Sequence, residues 1–149
     1  MIELAVALPV LAVILIGTID FGRVFRLAMI VESAARAGAI YGAQNSANAL
    51  NIFNIRQAGN AVLIANGLPT LNAVAPVPTC ECANDAGTTF TATVNTGTNC
   101  TNASTCAVGS HLVMNVAVTV TQTFSMTAAF PGLPTSVIIA RTAKMRVLN

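Results

Sequence analysis

The stretch MIELAVALPVLAVILIGTID, residues 1–20, decides how the rest of the chain can fold. From Leu4 to Ile19 it carries no charged residue, and Glu3 stands directly before it. An ionised carboxylate at the start of a membrane-length apolar segment is costly unless a partner neutralises it. We therefore treat Glu3 as a functional residue and ask which group pairs with it.

The composition is that of a membrane or polymer protein. Of the 149 residues, 54% are hydrophobic and 8% are charged, whereas soluble domains have about 25% charged residues. The net charge of +2 and the lack of basic clusters interleaved with aromatic residues argue against a nucleic-acid partner. The middle of the chain is rich in Thr, Asn and Ala and nearly uncharged, which favours association between copies because they repel each other little.

The apolar run lacks the basic segment that opens a signal peptide. The first basic residues, Arg23 and Arg26, follow the run, and as an intact anchor this order would leave the rest of the chain in the cytoplasm. Four cysteines argue instead for an oxidising compartment outside the cytoplasm. We expect that a basic leader preceding Met1 is removed, which would leave a free α-amino group on Met1 beside Glu3.

The N-terminal helix is predicted to continue past the membrane, over residues 1–44. At 1.5 Å per residue such a helix is roughly 65 Å long, about twice the thickness of the hydrocarbon layer. Pro9 removes one backbone hydrogen bond, which membrane helices tolerate when their neighbours compensate. About half of the helix must therefore lie outside lipid.

Two features of the second half of this helix indicate contacts. Asp20 with Arg23, and Glu32 with Arg36, are three and four residues apart, the spacings at which opposite charges pair on a helix surface. A row of small residues at intervals of four also lets another backbone come close, and it consists of Ala34, Gly38 and Gly42. The row fits either a second subunit or the chain's own head domain.

Residues 45–149 are predicted to form an α+β head. Asn45 and Ser46 can cap a second, shorter helix over about 47–66, which ends at Gly67. Alternation of apolar and polar residues then predicts an antiparallel sheet of three to four strands, over about 88–95, 111–125 and 136–148. One face of this sheet is expected to pack on the helices.

The segment 76–110 is expected to be a loop held by disulfides, and it contains Cys80, Cys82, Cys100 and Cys106. Its local spacings, Cys-x-Cys and Cys-x5-Cys, do not match a zinc site. Four cysteines allow three pairings, and the sequence leaves the choice open. We favour bridges from the first pair to the second, because a ring closed between Cys80 and Cys82 would be strained.

No catalytic residue, cofactor, metal or small-molecule substrate is predicted. His111, the one histidine, falls on the polar face of a predicted strand, where an ordinary exposed residue is expected. Glu81 and Asp85 are two acids in the predicted loop, and Asp85 begins an ordinary Asp-Ala-Gly turn. No glycine-rich phosphate-binding loop occurs.

Two parts of the chain carry a family resemblance. The N-terminal part contains Glu3-Leu4-Ala5-Val6-Ala7-Leu8-Pro9, Gly17, Asp20-Phe21-Gly22-Arg23 and Glu32-Ser33-Ala34-Ala35-Arg36-Ala37-Gly38-Ala39. The C-terminal part contains Val118-Thr119-Val120, Phe124, Phe130-Pro131-Gly132-Leu133-Pro134 and Ala143-Lys144-Met145-Arg146. They resemble TadE-like pilins and pseudopilins of the tight-adherence branch of type IV pili, strongly over residues 3–44 and less so over 112–147.

The resemblance implies a type IV pilin-like fold and an assembly pathway. A prepilin peptidase would cut the leader, the chain would enter the inner membrane, and Tad-type machinery would extract identical subunits into a helical filament on the cell surface. The implied role of Glu3 is to neutralise the α-amino group of Met1 on a neighbouring subunit, although the family's acid usually stands fifth rather than third. The residues expected to pack in the filament core are Leu8, Pro9, Ile14, Phe21, Phe25, Gly38 and Gly42.

Three functions remain compatible with these observations. The first is the main subunit of an adhesive filament, and the second is a minor pseudopilin that primes or tips such a filament. The third is a membrane-anchored adhesin or other binding module.

Overall fold

The computed structural model describes residues 2–70, 74–84, 89–90, 106, 109–127 and 134–148, with the backbone only for 2–6 and 89–90. Its elements, in chain order, are α1 (Ile2–Ala43), α2 (Ser46–Leu50), α3 (Ile52–Ala65), β1 (Val74–Asn84), β2 (Thr89–Phe90), β3 (Ser110–Ser125) and β4 (Ser136–Arg146). The predicted α+β fold, with a long apolar N-terminal helix and a small antiparallel sheet, is confirmed.

Helix α1 is continuous over 42 residues and contains Pro9. At 1.5 Å per residue it is roughly 63 Å long. Residues 7–19, which we call the projecting half, are exposed except for the partly covered Ile16. In residues 20–43, the docked half, Asp20 is buried, and from Leu27 onward a buried residue recurs at every third or fourth position, at Leu27, Val31, Ala34, Ala35, Gly38, Ala39 and Gly42. Between residues 7 and 43, it is therefore the docked half that the head holds.

The second predicted helix is two helices, so the prediction of one helix over 47–66 is wrong at Asn51. The Asn45 side chain caps α2 by accepting a hydrogen bond from the backbone of Asn48 at 2.8 Å. The Asn51 side chain does the same for α3, accepting from Asn54 at 3.1 Å. Asparagine competes with helical backbone bonding and favours caps, so Asn51 ends one helix and starts the next.

Helix α3 ends where the sequence predicts. Gly67 adopts a positive φ of 71°, and its N–H bonds to Ile64 O while that of Leu68 bonds to Leu63 O, both at 2.9 Å. These two bonds form a Schellman motif, in which glycine is favoured because a side chain would strain the left-handed backbone. The chain then leaves α3 toward the sheet.

Residues 74–84 form strand β1, so the prediction that the disulfide-bearing loop begins at 76 is wrong. The strand contains Pro76 and Pro78, which are unusual in strands because proline has no N–H group to donate a hydrogen bond to a neighbouring strand. In the described chain β2 pairs only with Cys82 and Ala83, so the proline stretch has β3 as its single neighbouring strand. On its other side, the proline stretch has no described strand that requires hydrogen bonds from it.

The sheet has the order β2-β1-β3-β4 and all its pairings are antiparallel. The alternation predicted for β3 is present, with Val116, Val118 and Val120 fully buried on the face that meets the helices. Of the strand predicted over 88–95, Thr89 and Phe90 lie within the described residues and belong to β2. The turn predicted at Gly132 lies outside them.

The last strand is shorter than predicted, since β4 ends at Arg146 rather than Leu148. The two residues after it bond to other elements. The N–H of Val147 donates to Met114 O at 2.8 Å and that of Leu148 to Ala43 O at 2.9 Å. The second bond satisfies a carbonyl group at the end of α1 and joins the C-terminal segment to that helix.

Candidate assembly surface

The projecting half of α1 is apolar around its whole circumference. Its exposed large side chains are Leu8, Val10, Leu11, Val13, Ile14, Leu15 and Ile19, each with more than half of its surface accessible. Helices that are apolar on all sides are found in membranes or in the cores of larger assemblies. In the described chain one helix, over residues 7–43, is long and apolar enough to cross a membrane. Its most apolar stretch of 18 residues is almost entirely free of contact with the rest of the protein.

The apolar surface continues past the projecting half as what we call the outer stripe, Phe21, Phe25 and Met29. These residues follow one another at intervals of four, and each is more than half exposed. Because a helix turns about 100° per residue, Phe25 and Met29 lie on the side opposite the buried row that includes Leu27 and Val31. The outer stripe therefore faces away from the head in the segment that the head itself covers.

Gly38 and Gly42 pack inside the chain, which corrects their prediction as contacts between subunits. A Cβ atom on Gly38 would lie 3.1 Å from Val118 Cγ1 and 3.2 Å from Ile55 O. One on Gly42 would lie 3.0 Å from Ile55 Cδ1. Of the two partners that the small-residue row allows, the structure shows the chain's own head, because β3 and α3 occupy that face.

A polar cluster fixes the head to α1 where the projecting half ends. Asp20, which is buried, accepts hydrogen bonds from Thr127 Oγ1 at 2.5 Å and from the Thr127 backbone at 3.1 Å. Arg23 donates to Asp20 at 3.1 Å, also contacts Thr127, and places its guanidinium 5.3 Å from the centre of the Phe124 ring. The carboxylate thus links α1 to the residues that follow β3.

The spacing of Asp20 and Arg23 indicated their ion pair, and the structure contains it. The spacing did not indicate the contact with Thr127, because Thr127 is distant from Asp20 in the sequence. The second ion pair, between Glu32 and Arg36, joins atoms 2.5 Å apart on a largely exposed surface. Exposed pairs of this kind contribute at most about 1 kcal/mol, so of the two predicted ion pairs we assign a structural role to the one at Asp20.

Cys82 and Cys106 form a disulfide with their Cα atoms 5.6 Å apart. It joins one cysteine of the first pair to one of the second, the type of pairing that the sequence favoured. Cys80 is also disulfide-bonded, and Cys100 lies outside the described residues. Because Cys82 belongs to β1, the bridge anchors Cys106, which precedes β3 in the chain, to a central strand.

The sequence also singled out His111, Asp85, Met1 and Glu3. His111 is exposed on β3, with Nε2 3.3 Å from a guanidinium nitrogen of Arg146. Within the described ranges, no group of histidine, cysteine and acidic side chains could hold a metal. Asp85 lies outside these ranges, as do Met1 and the Glu3 side chain, although the Glu3 backbone belongs to α1.

Comparison with known families places a match on α1. Residues 1–39 match the family model described as TadE-like protein. No curated protein and no solved structure shows significant similarity to the chain. The match spans the projecting half and most of the docked half, and links the chain to the Tad pilus system. The resemblance seen in the N-terminal sequence is thereby confirmed, and the N-terminal helix of this chain is similar to that of TadE-like proteins.

Proposed function

We propose that the chain is a structural subunit that polymerises through α1 into a Tad-type filament on the cell surface. In this proposal a prepilin peptidase first removes a leader, and the projecting half holds the chain in the inner membrane until the Tad-type machinery extracts it. Identical subunits then bundle their helices, with the heads outside. The single observation that carries the proposal is the outer stripe.

The outer stripe favours a protein partner over lipid alone. A hydrocarbon layer about 30 Å thick is spanned by about 17–25 helical residues, and the 16 uncharged residues from Leu4 to Ile19 come close to the lower end of that range. The stripe begins at Phe21, beside the buried Asp20 that bonds to the head. A purely membrane-anchored module needs no apolar surface there, whereas an exposed apolar patch continuous with a helix bundle suits packing against neighbouring helices.

Glu3 belongs to the same proposal. In a bundle of helices its carboxylate would be removed from water, and a buried charge of this kind requires a partner. The α-amino group of Met1 on a neighbouring subunit is the proposed partner. Because the pair forms only between subunits, it would set the axial register of each new helix.

The outer stripe can be tested with a matched pair of substitutions. Phe21→Asp changes a side chain that is 73% exposed in the stripe, and Phe53→Asp changes one that is 74% exposed on α3. Loss of one buried phenylalanine per interface removes about 2–3 kcal/mol, or roughly a hundredfold in affinity. We expect Phe21→Asp to abolish filaments visible by electron microscopy and Phe53→Asp to retain them. Equal filament yields from the two variants would contradict the proposal.

A further inference from the structure

A buried polar cluster lies on the face of the sheet that points away from α1. It consists of Glu81 on β1, Asn115 on β3 and Lys144 on β4. Glu81 Oε2 accepts a hydrogen bond from Asn115 Nδ2 at 3.0 Å, and Glu81 Oε1 accepts one from Lys144 Nζ. Glu81 and Asn115 are only 9% and 6% exposed, while the Lys144 side chain is 49% exposed. One carboxylate thus holds an amine and a carboxamide together.

The strand register explains this arrangement. Glu81 pairs with Val113 and Lys144 pairs with Ala117, the residues two before and two after Asn115. Alternate residues of a strand share a face. The side chains of Glu81 and Lys144 therefore reach toward each other across β3, and Asn115 lies between them.

We propose that Lys144 and Asn115 become joined by an intramolecular isopeptide bond, with Glu81 transferring the protons. Glu81 Oε1 takes a proton from the Lys144 ammonium, and the neutral Nζ attacks Asn115 Cγ. The tetrahedral intermediate expels Nδ2, to which Glu81 delivers a proton through Oε2. The Nζ–Cγ bond forms, the Cγ–Nδ2 bond breaks, and the remaining proton leaves with ammonia as ammonium. No oxidant, cofactor or second protein is needed.

Three physical conditions for this reaction are met at the site. The reacting groups are held on adjacent strands, which replaces a bimolecular encounter by an intramolecular one. The Glu81 carboxylate contacts both the amine and the carboxamide, so it is placed to take a proton from the lysine, whose neutral amine is the nucleophile. The exposed part of Lys144 leaves ammonia a path to solvent.

The bond would tie the edge strand β4 covalently to β3. The head is already closed by the Cys82–Cys106 bridge on β1, and the new link would secure the opposite side of the sheet against unravelling. The bond would form within the folded head and would not require filament formation.

Mass spectrometry of the full chain, reduced and alkylated after purification, tests the inference. We expect an intact mass lower than that of the unlinked chain by one ammonia molecule. A tryptic digest should give a branched peptide joining Asn115 to Lys144, with no cleavage after Lys144. Lys144→Arg, which keeps the positive charge beside Glu81, and Glu81→Gln should both restore the full mass, whereas the exposed control Glu32→Gln should keep the loss.

The inference is overturned if the folded wild-type chain has the full mass and trypsin cleaves after Lys144. It is equally overturned if ammonia is lost at another residue, since the branched peptide would then be absent. Circular dichroism and the resistance of the disulfides to mild reduction report whether each variant has folded. If Glu81→Gln does not fold, Lys144→Arg alone carries the comparison.

Discussion

Replacing Glu3 by leucine is expected to abolish filament assembly and to leave membrane insertion unchanged. Leucine makes the insertion of the segment into a membrane more favourable, because the substitution removes a costly charge from the edge of the hydrocarbon layer. In the proposed filament the same change would leave the α-amino group of a neighbouring subunit buried without a partner. Breaking a buried pair in this way costs about 3–5 kcal/mol, enough to lower subunit affinity more than a hundredfold.

The measurement combines membrane fractionation with filament counts by electron microscopy. Glu32→Gln is the control, because Glu32 lies on the same helix but is exposed and paired with Arg36. The control should insert and assemble normally. If Glu3→Leu assembles as well as the control, α1 acts as an anchor and the chain is a membrane-bound binding module instead.

Replacing Gly38 by leucine is expected to destabilise the docking of the head on α1. The first added carbon would already lie 3.1 Å from Val118 Cγ1 and 3.2 Å from a backbone oxygen of Ile55, and the backbone cannot yield as a side chain can. Overpacking a tight core costs about 1–3 kcal/mol or more, and helix propensity returns about 0.8 kcal/mol. We expect a net loss of about 2 kcal/mol, or on the order of 8 °C in Tm.

The same substitution at Gly22 provides the control. Gly22 is also on α1, but a Cβ atom there would meet nothing within 4 Å. Gly22→Leu should therefore keep or slightly raise Tm, since it gains helix propensity without a clash. The comparison is made by thermal unfolding of the full chain in detergent. Similar Tm values for the two variants would show that the head does not pack on the small-residue row.

Local patterns predicted most of what the structure shows along single elements. Uncharged length and i,i+4 spacings indicated α1, Asn45 and Gly67 indicated helix ends, and period-two alternation indicated β3. Each of these signals depends on a residue and its near neighbours in the chain. The break at Asn51 was missed because the flanking apolar residues continue a helical pattern, and only the competing cap interrupts it.

The missed features depend on contacts between distant segments. Prolines such as Pro76 and Pro78 are unusual inside a strand, and only the pairing with β3 shows that residues 74–84 form one. The bond from Thr127 to Asp20 joins segments far apart in the sequence, as do those of Glu81 to Asn115 and Lys144. The small-residue row was ambiguous for the same reason, since spacing shows that a backbone can approach but does not say which one.

The composition of purified surface filaments tests the central claim most directly. If the chain is a structural subunit that polymerises through α1, sheared filaments should contain it as their principal polypeptide by quantitative mass spectrometry. Antibodies against the head should also label the filaments along their whole length by electron microscopy. Filaments in which the chain is present only in trace amounts, or is labelled only at one end, would contradict the claim and identify a minor pseudopilin.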